Sequence, residues 1–391
     1  MSTLDELRTV SADMAAWRHR LHAQPETAFE EHETSHFVAG QLRAFGVEVH
    51  AGIAKTGVVG VIRGRAGTRA IGLRADMDAL HVDEATGLPY ASRVKGKMHA
   101  CGHDGHTAML LGAARHLAAT RRFAGTVYVV FQPAEENEGG GRAMVQDGLF
   151  DRFPMEGIFG LHNIPGIPEG QFGVMSGPTM ASYDIFEIRI RGRGGHAAMP
   201  QHAADPVVIG AALVQSLQTV VSRSVDPLQP AVLSVTEFHA GDTWNAIPEH
   251  AVLRGTVRTF DSAVQDAIEA RLRRLCEGAA LAHGAAIDVR YERRYPPTVN
   301  SAAEATLCAR VAEALVGPSN VLREAKPLMA AEDFAFMLHE KPGAYAWIGN
   351  GVGAKGGCMV HNPGYDFNDA ILALGAAYWV CLAEAALEAS A

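Results

Sequence analysis

The sequence is poor in cysteine, in basic charge and in long apolar runs. Its five cysteines (Cys101, Cys276, Cys308, Cys358 and Cys381) are odd in number, scattered and never spaced as CxxC. Such usage fits a reducing cytoplasm, where any cysteine chemistry rests on single residues. Lys and Arg number 34 against 43 Asp and Glu, a net charge of −9. With no basic excess and no Lys or Arg run to track phosphates, nucleic acid is excluded as an expected partner. Crossing a bilayer takes roughly 20 apolar residues. The uncharged stretch Ile371–Ala383, between Asp369 and Glu384, reads instead as a buried C-terminal helix, so no membrane partner is expected. The N-terminal MSTLDELRTV carries two acids and no apolar segment, unlike a secretory leader.

What the chain does have is enough apolar material for a real core, 48% hydrophobic against 20% charged residues, and at 391 residues a length that suits two domains. Residues 4–22 and 30–45 read as helices, the second ending at Gly46 where a C-cap glycine belongs. Apolar runs at Gly57–Ile62, Ala70–Ala75 and Thr126–Phe131, with a helix over 104–119, predict a largely parallel α/β sheet. From Tyr183 the pattern changes to strand (Asp184–Arg191), helix (204–221), strand (Ala231–His239), strand (His250–Thr259), helix (Ala263–His283) and strand (Ala286–Glu292). That β-α-β-β-α-β order is the split-βαβ, ferredoxin-like unit. The expected architecture is a catalytic α/β domain over 1–182 and 297–391, with a small domain over 183–296 inserted into it.

The histidines number 18, and they cluster. The densest segment is Met98-His99-Ala100-Cys101-Gly102-His103-Asp104-Gly105-His106, a glycine-flanked loop entering a helix that Asp104 could cap. Thiolate and imidazole suit borderline divalent metals. Three histidines and a cysteine within one short stretch favour that reading over a buried cysteine beside surface histidines. Gln132-Pro133-Ala134-Glu135-Glu136 follows a strand end, where α/β sheets place ligands. Adjacent carboxylates repel, so a buried pair calls for a cation. One acid can then bind metal while the other takes a proton from water. A solvated acidic loop remains equally open for this pair alone. Gly160-Leu161-His162-Asn163 and Val360-His361-Asn362-Pro363-Gly364 each add a histidine at a strand end or turn.

Together with Trp17-Arg18-His19-Arg20-Leu21-His22, Pro25-Glu26, GRGGHAAMP, NAIPE and AEDF, these segments resemble the M20 metallopeptidase superfamily, and within it the amidohydrolases of N-acyl amino acids. The likeness covers nearly the whole chain. It implies two divalent metals per subunit, manganese or zinc first and cobalt or nickel also admissible, held by Cys101, His103, Glu136, His162 and His361. Cys101 stands where many relatives place a bridging aspartate. Glu135 would be the general base, Asp76 an acid behind a histidine ligand, and His106 a neighbour that binds no metal. His196 would reach the developing oxyanion, from its own subunit or a partner's, and Asn245 and Arg258 would grip the substrate's carboxylate. A strand arginine facing water is the plainer reading of Arg258 until that motif is considered.

The implied reaction is hydrolysis of the amide bond of N-acyl amino acids, hippurate-like or N-acetyl, to a carboxylic acid and a free amino acid. A dipeptidase or aminopeptidase on the same site, or a non-catalytic metal-binding relative, is the alternative. A homodimer through the inserted domain is also expected. His81, where relatives have proline, and Ala330, where they have glycine, are departures expected near the acyl pocket.

Overall fold

A computed structural model describes residues 2–136 and 138–388. The chain separates into two compact units. The second consists of Met180–Thr298 and Pro327–Glu332, and the first of the remainder. The segment Pro327–Glu332 thus departs from the expected assignment to the catalytic part. The Ala181 amide donates to the carbonyls of both Leu328 and Ala330, which ties that segment to the second unit.

The first unit is built on eight strands, in the order Glu48–Ile53, Gly57–Arg63, Ala124–Gln132, Arg65–Asp76, Gly157–Pro165, Gly343–Gly351, Phe172–Gly173 and Val321–Leu322. Its four central strands, Ala124–Gln132 through Gly343–Gly351, all run parallel. Strands covered on both faces read as continuous apolar runs. Gly343–Gly351 is buried along its whole length, and Arg65–Asp76 is buried from Ala70 onward. Parallel register puts Asp76 beside Gln132 and Arg74 beside Gly160, so the carboxyl ends of these strands open onto one edge. That edge is where α/β sheets bind ligands.

Helices His103–Thr120 and Leu372–Ala386 pack against each other. The stretch Asp369–Ala386 is long and apolar enough to cross a membrane, as is Pro206–Ser224, but it is mostly buried in this core. The helix expected over 4–22 is two helices, Thr3–Arg8 and Ser11–His22, the first held by a capping box between Ser2 and Asp5. Gly46, with φ +75, follows the helix His32–Ala44.

The second unit has four strands in the order Ala231–Ala240, His250–Thr259, Tyr183–Arg191 and Ala286–Tyr295, all neighbours antiparallel. Helices Pro206–Ser224 and Ser262–His283 bury one stripe each against this sheet, around Ile188, Leu213, Leu253 and Leu272. Asp205 and Asp261 cap the two helices through side-chain bonds to backbone amides. The strand order second, third, first, fourth is that of the split-βαβ unit.

Candidate metal centre

Helix His103–Thr120 begins at His103 itself, and its cap position is Gly102, left-handed at φ +94. Asp104, expected to cap the helix, does not. Its Oδ2 accepts from Arg18 Nε at 2.9 Å and lies 2.8 Å from His22 Nδ1, all three side chains being fully buried. A tertiary ion pair has captured a residue whose local preference is for the cap. Only glycine fits at 102, because a Cβ there would come 2.3 Å from Asn163 Oδ1 and 2.5 Å from the Tyr365 hydroxyl.

Around this turn the strand ends deliver a set of donor atoms. Cys101 Sγ is 3.4 Å from His162 Nε2. His162 Nδ1 donates to the Asn163 carbonyl at 2.6 Å, which leaves Nε2 with its lone pair toward the thiol. His103 Nδ1 lies 3.2 Å from Asp78 Oδ1, while its buried Nε2 has no hydrogen-bond partner among the described residues. His361, left-handed at φ +63, is tied by its amide to the Ala100 carbonyl at 2.7 Å. It puts Nε2 3.2 Å from Glu136 Oε1. The donor atoms of Cys101, His103 and His162 lie within 4.8 Å of one another, as do those of Cys101, Glu136 and His361 and of His103, Glu135 and Glu136.

His106 has both nitrogens engaged, Nδ1 with Asp76 Oδ1 at 2.6 Å and Nε2 with Asn163 Oδ1 at 2.7 Å. Asp76 thus meets His106 and also lies 3.7 Å from His103 Nε2, while the acid on the other nitrogen of His103 is Asp78. Its other oxygen accepts the Glu136 amide at 2.9 Å, so one carboxylate orients two neighbours of the centre. Asp78 lies two residues after Asp76, in Arg74-Ala75-Asp76-Met77-Asp78, and nothing in that spacing separates the two acids.

Burial and mutual charge set the electrostatics of these groups. Burial, reinforced by Glu136, pushes the Cys101 thiol far above its ordinary range. Burial would depress His103, but Asp76, Cys101 and Asp78 outweigh it and raise the ring well above 6.5. Burial would raise Glu136, but His361 and His103 draw it down. A buried thiol, imidazoles and a carboxylate converging on a nitrogen without a partner fit a borderline divalent cation.

In the second unit, His196 sits on a two-residue strand, Gly195–His196, paired with Ala246–Ile247. Ala197 N–H donates to the Asn245 carbonyl at 3.0 Å, so the ladder brings His196 and Asn245 side by side, both exposed. Arg258 is half-buried with its guanidinium 4.1 Å over the Tyr183 ring. Of the two departures, His81 lines a cavity of about 670 Å³ with Phe29, Lys55, Leu80 and Glu136. Ala330 lies in the second unit.

Comparison with known proteins accounts for this arrangement. Residues 72–385 match Peptidase family M20/M25/M40. The chain belongs to this family. It is 41% identical to hippurate hydrolase of Campylobacter jejuni, over 98% of this chain and 99% of that one. It is 43% identical to N-acyl-L-amino acid amidohydrolase of Geobacillus stearothermophilus, over 76% of this chain and 80% of the relative. Among solved structures, a dinuclear metal binding peptidase from the M20 family of Bacillus subtilis superposes with a TM-score of 0.85 at 34% identity, covering 98% of this chain and 100% of the other. This M20 chain is a hydrolase with amidohydrolase relatives. Its donor set and that dinuclear neighbour both support a site for divalent metal.

Proposed function

We propose that this M20 protein hydrolyses N-acyl amino acids, hippurate-like or N-acetyl, releasing a carboxylic acid and the free amino acid. The observation that carries the reading is a set of three overlapping donor groups, Cys101 with His103 and His162, Cys101 with Glu136 and His361, and His103 with Glu135 and Glu136. Cys101, His103, Glu136, His162 and His361 would hold two divalent ions, zinc or manganese. Bound there, such ions would polarise the amide carbonyl and acidify the attacking water.

The chain's own groups do the rest. Glu135 accepts the water's proton and returns it to the leaving nitrogen. Asp78 keeps His103 in one tautomer and holds the Glu136 backbone. His196 donates to the oxyanion, and Asn245 and Arg258 bind the amino acid's carboxylate. In support, Arg258 is half-buried with its guanidinium on the Tyr183 face. A non-catalytic relative would have no use for Glu135.

The test is release of free glycine from N-benzoylglycine, and of amino acids from their N-acetyl forms, by metal-stripped protein given back zinc or manganese. Metal-dependent release is expected. Protein that regains its metal and releases nothing overturns the reading.

A further inference from the structure

We infer that Asp333 and Arg74 are positioning residues for Glu135, a role resting on the proposal that Glu135 is the proton acceptor. Both are buried charges inside the first unit, 0% and 1% exposed. The Arg74 guanidinium spends its donors in three directions. Nε reaches Gln132 Oε1 at 2.9 Å, one terminal nitrogen reaches Asp76 Oδ2 at 2.9 Å, and the other reaches Asp333 Oδ1 at 3.1 Å.

Asp333 is held from further sides. Gln132 Nε2 donates to both its oxygens, at 2.7 and 3.0 Å, and the Gly141 amide donates to Oδ2 at 2.7 Å. A carboxylate gripped by three segments fixes its own main chain, and that main chain ends at the site. The Asp333 N–H donates to Glu135 Oε1 at 3.3 Å. The network's other end is Asp76, which holds His106. Asp333 is also the residue at which the chain re-enters the first unit after Pro327–Glu332.

A bond of 3.3 Å is long, so it orients the acceptor without spending much of its basicity. Orientation is what a proton acceptor needs, because a displacement of about 1 Å can cost on the order of a hundredfold in rate. Two surrounding glycines keep the anchor tight. At Gly141 a Cβ would come 2.8 Å from the Asp333 carbonyl oxygen and 3.1 Å from Oδ1. At Gly140 it would come 1.7 Å from the Pro133 carbonyl oxygen.

The experiment is a double-mutant cycle on the metal-loaded enzyme with N-benzoylglycine, together with crystal structures. Asp333→Asn should lower kcat at least about tenfold with KM and metal content within about twofold. In a Glu135→Gln background the same change should alter the residual turnover by less than about twofold, because the group being positioned is gone. Gly141→Ala displaces Asp333 without removing charge, and should repeat the pattern if Asp333→Asn fails to fold. A crystal structure of either variant should show Glu135 Oε1 beyond hydrogen-bond reach of the residue 333 amide. Equal losses in both backgrounds, or a Glu135 that has not moved while turnover falls, would overturn the inference. A wild type that cuts no N-acyl amino acid would sink the functional reading instead, and the crystal structures would still decide the network.

Discussion

Gly102 separates two of the proposed metal ligands, and replacing it with alanine probes the centre without touching a donor. Its backbone is left-handed, at φ +94. For a residue with a Cβ that conformation costs roughly 1–2 kcal/mol. The new methyl would also lie 2.3 Å from Asn163 Oδ1 and 2.5 Å from the Tyr365 hydroxyl. Forcing one extra carbon into a packed site costs typically ~1–3 kcal/mol. The sum is about 2–5 kcal/mol, and it must be relieved locally. Asn163 cannot yield freely, since Oδ1 holds His106 Nε2 at 2.7 Å and Nδ2 meets Tyr365 at 2.6 Å. The loop must therefore shift, taking Cys101 and His103 with it.

If half of that strain is expressed in the ligand positions, zinc binding weakens between about fivefold and about sixtyfold, at 1.4 kcal/mol per factor of ten. Competitive titration with a chromophoric chelator measures this, and thermal unfolding in excess chelator measures the strain in the metal-free protein. Both should fall in Gly102→Ala. A lower melting temperature with unchanged zinc affinity would refute the claim that the turn sets the ligands. No change in either would refute the packing argument itself.

Glu135→Gln should lower kcat at least about a hundredfold, as loss of a general base does, with metal content by elemental analysis unchanged. N-benzoylglycine should be preferred over its C-terminal amide by at least about tenfold in kcat/KM, the value of a charge-assisted contact at ~1.5–3 kcal/mol, and Arg258→Ala should erase most of the preference. His22 is buried, which alone would lower it, but Asp104 and Glu84 raise it to about 9 from 6.5. Its contribution is thus whole below pH 6.5 and lost as pH rises through about 9. Urea unfolding should show that decline, on the order of 3 kcal/mol, flattened in His22→Gln. Mixing inactive Glu135→Gln and His196→Ala proteins should restore activity if the subunits exchange through an edge strand such as Ala231–Ala240 and His196 acts across the interface. No recovery despite exchange would place His196 in its own subunit.

The strands and helices of the second unit were legible because their apolar periods are undisturbed. The alternation of Asp184–Arg191 and the stripe of Pro206–Ser224 each bury one face. What stayed hidden has two physical causes. Elements of two residues, such as Gly195–His196 against Ala246–Ile247, have no period to detect. Buried charges, moreover, look like surface charges until their partners are known. Arg18, Arg74, Glu31, Asp78 and Asp333 are all fully buried, and each meets a group more than twenty residues away. Asp104 illustrates the conflict between levels, for a helix start marks it as a cap and a distant arginine overrules the mark. The proposed ligands Cys101 and His103 stood out because a thiol and three imidazoles are rare together in a short span.

Backbone strain follows the same geography as the buried charge. Among the described residues, six other than glycine have positive φ, namely Phe29, Ala54, Lys55, Arg121, Ala134 and His361. Ala134 precedes Glu135, His361 is a proposed ligand, and Phe29 and Lys55 line the cavity that reaches Glu136. Left-handed residues persist only where their surroundings over-determine them. Glu31 supplies that constraint at two of these places. One of its oxygens accepts the Ala134 amide at 2.9 Å, and the other accepts the Thr56 hydroxyl at 2.7 Å, directly after Ala54 and Lys55. Burial and the nearby Asp78 raise this carboxyl to about 7, so the clamp itself is held at a cost. A relaxed backbone at Ala134 would turn Glu135 and Glu136 away from His103, leaving the same donors in the sequence with no common point to face. The geometry of the proposed centre therefore rests in part on residues outside its donor set, and Glu31 is the one on which two strained turns converge.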